Sequence, residues 1–260
     1  MDFDIKNFSM NFFSLKGKTA LVTGGNVGLG QGFALALAKA GANVFVSDIT
    51  DAYEETKSLV EGESVKFGFM KANVANRDDV NKTIAACVDT MGSLDILINN
   101  AGIIRRNDLL ESTDEDWKAV IDINLSGVYY MSLEAAKVMD KQGGGKIVNI
   151  ASMLSFQGGI RVPSYAASKH GVAGITKSFA NELAVKNIQV NAIAPGYFAT
   201  DNTAQIRADE ARNASILSRI PAGRWGEPFD LLGAAVFLSS KAADYITGHL
   251  LTVDGGWLVR

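Results

Sequence analysis

The residues best suited to chemistry are a tyrosine and a lysine that lie four positions apart. Tyr165 and Lys169 fall in a stretch of helical periodicity, so their side chains project from one face of the helix. A lysine ammonium beside a phenol stabilises the phenolate and lowers a pKa that is ordinarily about 10, which makes the phenol a usable acid or base. A second pair with this spacing, Tyr53 and Lys57, lies in an acidic and polar stretch and is interpreted as a solvated helix face.

Two polar residues earlier in the chain could act with this pair. Ser152 is predicted to close the fifth strand, thirteen residues before Tyr165, where a hydroxyl can hydrogen-bond a reacting carbonyl oxygen. Asn124 interrupts a helical run before that strand, and its amide can hold a water for proton relay. The set predicts acid–base chemistry at a carbonyl group, with its members at Asn124, Ser152, Tyr165 and Lys169.

A glycine-rich turn joins the first predicted strand, Thr19–Thr23, to a helix. The glycines at positions 24, 28 and 30 have no side chains, which allows a tight turn, close backbone approach to a pyrophosphate and close packing of the helix on the strand. The N–H groups at the start of the helix can then bind the phosphates. The sequence therefore predicts a dinucleotide-binding turn formed by Gly24, Asn26, Val27, Gly28, Leu29 and Gly30.

The form of the dinucleotide is indicated by Asp48, which ends the second predicted strand twenty residues beyond Gly28. A carboxylate there can accept hydrogen bonds from the adenosine ribose and would repel a 2′-phosphate. No Lys or Arg lies between Thr23 and Lys39 to compensate, so NAD(H) is favoured over NADP(H). The alternative is that Asp48 serves only as a turn or helix-cap residue. A second cofactor wall is predicted after the fourth strand, at Asn100, Ala101 and Gly102.

The strands and helices that would position these residues can be read from the sequence pattern. Short apolar runs alternate along the chain with longer stretches of helical periodicity. Seven strands separated by helices predict a doubly wound α/β fold of Rossmann type, with a parallel sheet and helices on both faces. We expect one domain at residues 15–260, an N-terminal arm at residues 1–14 rich in phenylalanine (Phe3, Phe8, Phe12, Phe13), and a polar substrate lid at about residues 200–224. The arm would pack on its own domain or on a neighbouring subunit. The predicted strands are 19–23, 44–47, 65–70, 94–99, 146–152, 188–194 and 249–253, and the predicted helices are 31–40, 77–91, 114–140, 164–185 and 228–240.

Composition excludes several classes of function for the 260 residues. The formal net charge of -3 provides no basic field for nucleic acid or an anionic membrane. The single cysteine, Cys87, excludes an intrachain disulfide, and the two histidines lack ligand spacing, so no metal site is expected. No run approaches the roughly 18 apolar residues of a membrane helix, and the acidic start lacks a basic signal region. We expect a cytoplasmic protein.

The chain resembles the short-chain dehydrogenase/reductase family over roughly residues 15–260. The resemblance rests on Gly24-x-x-x-Gly28-x-Gly30, Asn99-Asn100-Ala101-Gly102, Asn124, Ser152, Tyr165-x-x-x-Lys169 and Pro195-Gly196 taken together. The resemblance implies that Tyr165 is the general acid/base and that Ser152 orients the carbonyl. It implies that Lys169 binds the nicotinamide ribose and tunes Tyr165, that Asn124 holds the relay water, and that the protein is a homotetramer. It adds cofactor contacts at Asn73, Val74, Pro195, Gly196 and Thr200, where Asn73 replaces the acid that many members place against adenine.

A narrower resemblance, to the 2-dehydro-3-deoxy-D-gluconate 5-dehydrogenases (also called 2-deoxy-D-gluconate 3-dehydrogenases), rests on the stretch 151–165. It extends to Arg105-Arg106, residues 219–226 and residues 254–257. This implies reversible reduction of a keto-deoxy sugar acid by NADH in uronate breakdown. A net-acidic protein needs a local cation to bind a carboxylate. Arg106 and Arg161, on loops near the active edge, are the candidates; for each, a surface or interface salt bridge is the alternative.

Other functions stay open at this point. Within the same family, a gluconate 5-dehydrogenase is the first alternative and a 3-oxoacyl-carrier-protein reductase the second, although the latter favours NADPH and a basic docking surface. From a different class, the chain could be a dinucleotide-sensing protein that kept the fold without chemistry. The complete Asn, Ser, Tyr and Lys set argues against a sensor, and nothing in a glycine-turn methyltransferase would explain Tyr165 and Lys169.

Overall fold

A computed structural model describes residues 5–260, and its centre is one sheet of seven parallel strands. The strands are β1 Thr19–Thr23, β2 Asn43–Asp48, β3 Phe67–Lys71, β4 Ile96–Asn99, β5 Gly145–Ile150, β6 Ile188–Pro195 and β7 Leu250–Val253. Their order in the sheet is β3-β2-β1-β4-β5-β6-β7, which confirms the predicted doubly wound fold. The order reverses between β1 and β4, and the carboxyl ends of strands at such a point leave a crevice for a ligand.

Helices cover both faces of the sheet and enclose a separate apolar core on each. They are α1 Gly28–Lys39, α2 Glu54–Glu61, α3 Arg77–Met91, α4 Asp114–Ile121, α5 Gly127–Gln142, α6 Pro163–Leu183, α7 Ala204–Ala208, α8 Glu210–Leu217 and α9 Phe229–Ser239. The core on one face takes side chains from α1, α2 and α9, and the core on the other from α3, α5 and α6. In β1, Ala20 and Val22 face the first core and Leu21 the second, as the alternation of side chains along a strand requires.

The predicted helix at residues 114–140 is interrupted. A π-helical turn, Asp122–Ser126, separates α4 from α5. Asn124 stands within it, and both polar atoms of its side chain hydrogen-bond to Ile103. When a side-chain amide within a helix hydrogen-bonds to another segment of the chain, the local helical backbone is displaced. The interruption therefore lies at the position where the sequence places a polar residue in an apolar run.

The fifth strand is shorter than predicted, because it ends at Ile150 rather than at Ser152. Ser152 instead caps a single 3-10 turn, Met153–Ser155, and its Oγ accepts the Leu154 N–H at 3.1 Å. The serine still lies at the carboxyl end of the sheet. Its hydroxyl is therefore carried by a turn that its own hydrogen bond fixes.

The N-terminal arm is described from residue 5 onward, and Phe3 lies outside the described residues. Two 3-10 turns, Ile5–Asn7 and Met10–Phe13, precede β1. The ring of Phe13 lies 6.4 Å from that of Phe237 in α9, so this part of the arm packs on its own domain. Across residues 5–260, no helix has both the length and the apolar character that crossing a bilayer requires.

Candidate active site

The turn between β1 and α1 has a backbone that glycine alone accommodates without strain. Gly24 and Gly28 adopt left-handed φ values of +64° and +59°. A Cβ atom at Gly30 would lie 1.9 Å from the Gly24 carbonyl oxygen, far inside contact distance. Val27, the N-cap of α1, makes no side-chain hydrogen bond to the helix, so no cap competes with an anion for its first N–H groups. The turn thus fits a pyrophosphate.

Asn100, after β4, ties this turn to the next loop. Its Nδ2 donates to the carbonyl oxygens of Thr23 and Gly24, each at 3.0 Å. In return, the Thr23 hydroxyl oxygen accepts the N–H groups of Asn100 and Ala101 at 3.1 and 3.0 Å. The two predicted cofactor walls are therefore one hydrogen-bonded unit at the switch point of the sheet.

Asp48 ends β2, as predicted, and its carboxylate is held by neighbouring donors. Oδ2 accepts the Asn26 N–H at 3.2 Å, and Oδ1 accepts the Thr50 N–H at 3.0 Å and hydroxyl at 3.1 Å. Asp48 also lines the large cavity described next. The carboxylate accepts hydrogen bonds from the protein on one side, and on the side that faces the cavity it can accept hydrogen bonds from a ribose.

A cavity of about 760 Å³ opens along the carboxyl ends of the strands. Most residues predicted for the site line it: Gly24, Val27, Gly28, Leu29, Gly30, Asp48, Asn73, Val74, Asn100, Ala101, Gly102, Arg106, Ser152, Tyr165, Lys169, Pro195, Gly196 and Thr200. Three predicted residues, Asn26, Asn124 and Arg161, are not among the lining residues. A volume of this size suits a dinucleotide and a small substrate together.

The side chains of Asn26 and Asn124 are buried and hydrogen-bond to other parts of the protein, although Asn26 Oδ1 has no partner among the described residues. Asn26 Nδ2 donates to the Thr50 carbonyl at 2.9 Å, which fixes the glycine turn to the loop after β2. Asn124 Oδ1 accepts the Ile103 N–H and its Nδ2 donates to the Ile103 carbonyl, both at 2.8 Å. In this structure both asparagines brace the cavity walls, and the water relay at Asn124 stays a prediction.

Arg161 is turned away from the cavity. Its Nε lies 3.0 Å from Asp108 Oδ1 in an exposed ion pair, and its backbone has a left-handed φ of 65°. Its carbonyl accepts the Asn107 N–H at 3.2 Å. Arg161 therefore supports the loop that follows Arg106, and the structure realises the salt-bridge alternative for it.

Tyr165 and Lys169 lie on one face of α6, as predicted, with Lys169 Nζ 5.5 Å from the centre of the Tyr165 ring. Lys169 is buried, and its Nζ donates to the Ile150 carbonyl at 2.5 Å. Burial lowers the pKa of Lys169 from 10.5 to about 8. The ammonium is thus held near the phenol but is costly to keep charged.

The pKa of Tyr165 is shifted in the direction opposite to the one its spacing from Lys169 suggests. Burial raises this pKa, while a hydrogen bond with Ser152 and the positive charge of Arg106 oppose the rise. Burial also lowers the pKa of Arg106, which the nearby Tyr165 and Tyr197 partly offset. Arg106 therefore opposes the rise in the pKa of Tyr165, and the tuning of Tyr165 by Lys169 stays a prediction.

The Lys169→Met variant is expected to be more stable than the wild type although it lacks the ammonium. Because the folded-state pKa of Lys169 is lowered to about 8, the buried charge opposes folding fully below that pH. We expect the free energy of unfolding at pH 7, measured in denaturant titrations, to rise by about 1–3 kcal/mol after the loss of the hydrogen bond to Ile150 is included. Above pH 8 the folded wild type sheds this proton while the unfolded chain keeps it up to about 10.5, so the advantage of Met shrinks.

The control for this variant is Lys186→Met, which removes an exposed lysine paired with Asp140. Its free energy of unfolding should stay within about 0.5 kcal/mol of that of the wild type, both at pH 7 and above pH 8. A Lys169→Met protein less stable than the wild type at pH 7 would show that the hydrogen bond to Ile150 outweighs the burial of the charge.

Two arginines of the cavity wall, Arg212 and Arg219, escaped sequence reasoning. Two other arginines of the segment at residues 200–224 have partners within the protein: Arg207 Nη2 donates to the Thr200 carbonyl at 3.2 Å, and Arg224 forms an ion pair with Asp230. A usable signal did exist, because Arg212, Ser215, Ile216 and Arg219 follow one another at the spacing of a single helix face.

Comparison with known proteins gives consistent matches along nearly the whole chain. The family profile described as "Enoyl-(Acyl carrier protein) reductase" matches residues 24–258. The chain is 54% identical to the 2-dehydro-3-deoxy-D-gluconate 5-dehydrogenase of Escherichia coli over 96% of this chain and 99% of the relative. It is 53% identical to the uncharacterized oxidoreductase YgcW of the same organism, over 97% of both chains.

Solved structures show the same architecture. A candidate 2-deoxy-D-gluconate 3-dehydrogenase of Agrobacterium tumefaciens, with bound NADP, matches with a TM-score of 0.89 and 52% identity over 96% of this chain and 100% of the other. A gluconate 5-dehydrogenase of Burkholderia cenocepacia, in complex with NADP and tartrate, matches with a TM-score of 0.93 and 36% identity over 96% and 98% of the two chains.

Proposed function

This chain belongs to the short-chain dehydrogenase/reductase family, and on that premise we propose that it is an NADH-dependent, reversible reductase of a keto-deoxy sugar acid. The specific reaction is that of a 2-dehydro-3-deoxy-D-gluconate 5-dehydrogenase. The observation that carries the acidic substrate is the cavity wall beside Tyr165, where Arg106, Arg212 and Arg219 stand in a protein of net charge -3. Relatives at 46–54% identity that bear this name support it.

Residues of the chain account for the proton and the orientation of the substrate. Tyr165, whose pKa burial raises further above neutral pH, donates a proton to the carbonyl oxygen in reduction. Ser152 donates a hydrogen bond to the same oxygen and Arg106 stabilises the negative charge that develops near it. Lys169 holds the nicotinamide ribose. A bound nicotinamide would supply the hydride in reduction and accept it in oxidation.

The cofactor contacts follow the cavity wall. The glycine turn and the start of α1 would hold the pyrophosphate, and Asp48 the adenosine ribose. The loop after β6, with Pro195, Gly196 and Thr200, would border the nicotinamide. The segment at residues 200–224, which contains α7 and α8, is proposed as the lid over substrate. The homotetramer implied by the family resemblance stays a prediction.

The preference for NADH over NADPH rests on Asp48, whose carboxylate would face a 2′-phosphate. Related structures contain NADP, so this point requires its own test. The wild type is expected to have a kcat/KM at least about 10-fold higher with NADH, and the Asp48→Ser variant to lose most of that ratio, because one like-charge contact is worth roughly 1–2 kcal/mol. The measurement is steady-state kinetics with both cofactors at one ketone concentration.

Asp51→Asn is the matched control, since Asp51 lies three residues away and pairs with Lys71 in an exposed ion pair. It should leave the NADH to NADPH ratio within about 2-fold of the wild type. A wild-type enzyme that uses NADPH faster than NADH would contradict the role given to Asp48.

The substrate class is tested by comparing ketones with NADH. We expect the highest kcat/KM with 3-deoxy-D-glycero-2,5-hexodiulosonate, the diketo acid of the proposed reaction. Higher turnover of 5-keto-D-gluconate would favour a gluconate 5-dehydrogenase, and a relative at 42% identity is named 5-keto-D-gluconate 5-reductase. Preference for a 3-oxoacyl thioester would favour a carrier-protein reductase, and absence of NADH oxidation with every ketone would favour a dinucleotide sensor.

A further inference from the structure

One wall of the cavity is formed by a single face of α8 and the turn that follows it. Arg212, Ser215, Ile216 and Arg219 line the cavity, at helical spacings of three, four and seven. Arg219 follows the last residue of α8, Leu217, in a turn closed by its N–H to the Ile216 carbonyl at 3.0 Å. Ile216 is buried in the apolar cluster that includes Trp257. Burial of this one side chain fixes the rotation of α8 and presents Arg212 to the cavity, and the turn after α8 places Arg219 at the same wall.

Neither arginine has a carboxylate partner within residues 5–260, in contrast to other arginines near the site. Those others form ion pairs at the surface: Arg105 with Asp116, Arg161 with Asp108 and Arg224 with Asp230. Asn213, next to Arg212 on α8, accepts the Trp225 Nε1–H at 2.7 Å, which anchors the helix without using the arginine. Two positive charges are thus held at the cavity without a carboxylate from the described chain to neutralise them.

Trp257 supplies an independent observation at the same wall. Its side chain is 4% exposed and lines the cavity, and its Nε1 is buried without a hydrogen-bond partner among the described residues. The Arg219 guanidinium stacks over this indole at 3.9 Å, an arrangement that leaves its N–H edges available. The Tyr197 ring packs edge-on against the indole at 4.8 Å. A buried indole donor without a partner is costly unless a ligand satisfies it.

The three cavity arginines differ in which of the two buried phenols they act on. Arg212, Arg219 and Arg106 all lower the pKa of Tyr197, which burial raises. Only Arg106 acts in this way on Tyr165. Of the three, Arg106 is therefore the arginine that acts electrostatically on the catalytic phenol. In a six-carbon acid that reacts at C5, the carboxyl carbon is four bonds, or about 5 Å, from the reacting carbon.

Building on the proposed function, we propose that Arg212 and Arg219 bind the substrate carboxylate, while Arg106 faces the reacting end. Guanidinium groups form charge-assisted and often bidentate hydrogen bonds to carboxylates, the strongest contacts such a substrate can make. The proposal also assigns a role to the segment that carries α8. Because its charges meet the acid directly, the substrate itself stabilises this segment over the cavity, and neutral ketones gain no such contact.

The test uses two ketones that differ only in the acidic group. 5-Keto-D-gluconate and L-sorbose share a carbon chain and a ketone position, and L-sorbose has a hydroxymethyl group where the acid has its carboxylate. In the Arg212→Gln/Arg219→Gln double variant, KM for 5-keto-D-gluconate should rise by about 10- to 100-fold while kcat changes less than about 3-fold. The kcat/KM for L-sorbose should stay within about 3-fold of the wild type.

Ionic strength gives a second readout that needs only the acidic ketone. The wild-type KM for 5-keto-D-gluconate should rise with added salt, because the two arginines lie at the exposed rim of the cavity, and this dependence should weaken in the double variant. Should the double variant unfold, the single Arg212→Lys and Arg219→Lys variants keep the charge but lose the bidentate geometry, so their KM should rise while their salt dependence persists.

Lys186→Gln is the control for loss of charge, because it removes one positive charge from a surface ion pair with Asp140. Its KM should equal that of the wild type. An unchanged KM in the double variant, with a raised KM in Arg106→Gln, would overturn the assignment to α8 and leave the proposed function intact. A wild type that reduces L-sorbose as efficiently as 5-keto-D-gluconate would contradict the acidic substrate itself, and with it both proposals.

Discussion

The Tyr165→Phe enzyme is expected to retain its fold and to lose about 100- to 10,000-fold in kcat/KM for ketone reduction. The substitution removes the phenolic O–H that protonates the carbonyl oxygen and keeps the ring that packs in the cavity wall. The measurement is steady-state NADH oxidation, with melting temperature as the check on folding. Turnover at the wild-type rate would remove Tyr165 from the chemistry and, with it, the mechanism proposed above.

Tyr53→Phe is the matched control, because Tyr53 and Lys57 have the same spacing as the active pair. Tyr53 precedes α2, and its ring stacks on Phe69 at 4.3 Å, a contact that phenylalanine preserves. Its kcat/KM should equal that of the wild type. A comparable loss in both variants would mean that the assay reports damage to the fold rather than loss of a proton donor.

The pH dependence of the wild type follows from the same phenol. Reduction needs its protonated form and oxidation its phenolate, and burial raises the pKa of Tyr165 above the ordinary value of 10.0 while Ser152 and Arg106 oppose the rise. Oxidation should therefore accelerate as the pH rises through the alkaline range, and reduction should slow there. The residual activity of Tyr165→Phe should lack this opposed dependence.

The second large effect is expected at Gly30. In Gly30→Ala, the new Cβ would lie 1.9 Å from the Gly24 carbonyl oxygen and 2.6 Å from Asn100 Nδ2, so the turn and the loop after β4 must separate. We expect the Kd for NADH to rise by about 10-fold or more and the free energy of unfolding to fall by about 1–3 kcal/mol. Calorimetric titration with NADH and denaturant unfolding measure the two effects.

Gly233→Ala provides the control for adding a methyl group to a helix. Gly233 lies in α9, and a Cβ there would meet no atom within 4 Å. The fold should gain about 0.5–1 kcal/mol, since alanine favours a helix more than glycine does, and NADH binding should not change. Wild-type affinity in Gly30→Ala would refute the tight packing on which the cofactor site depends.

The fold was predictable because its signals are local. β1 has the predicted bounds, Thr19–Thr23, since a strand buried on both faces reads as an uninterrupted apolar run. α3, Arg77–Met91, also has the predicted bounds, because Asn76 caps its start and Gly92 ends it in a left-handed conformation. The same reasoning placed the glycine turn and Tyr165 at the cavity, because motif positions relative to strand ends are sequence properties.

The rest depends on tertiary packing that no local pattern reports. The pKa of Tyr165 is raised because the side chain is buried, and the four-residue spacing of Tyr165 and Lys169 in the sequence does not predict that burial. Arg161 has the right position in the chain, but a left-handed backbone turns it to Asp108. Arg212 and Arg219 face the cavity because Ile216 is buried beneath α8, a contact made with residues distant in the chain.

The most direct test of the central claim is oxidation of 2-dehydro-3-deoxy-D-gluconate by the wild-type enzyme with NAD⁺. We predict formation of NADH with equal formation of the 2,5-diketo acid, identified by its mass, and a kcat/KM at least about 10-fold above those for D-gluconate and for a neutral sugar alcohol. NADP⁺ should be the poorer oxidant. Turnover of a 3-hydroxyacyl thioester in preference to the sugar acid, or no NADH at all, would contradict the account.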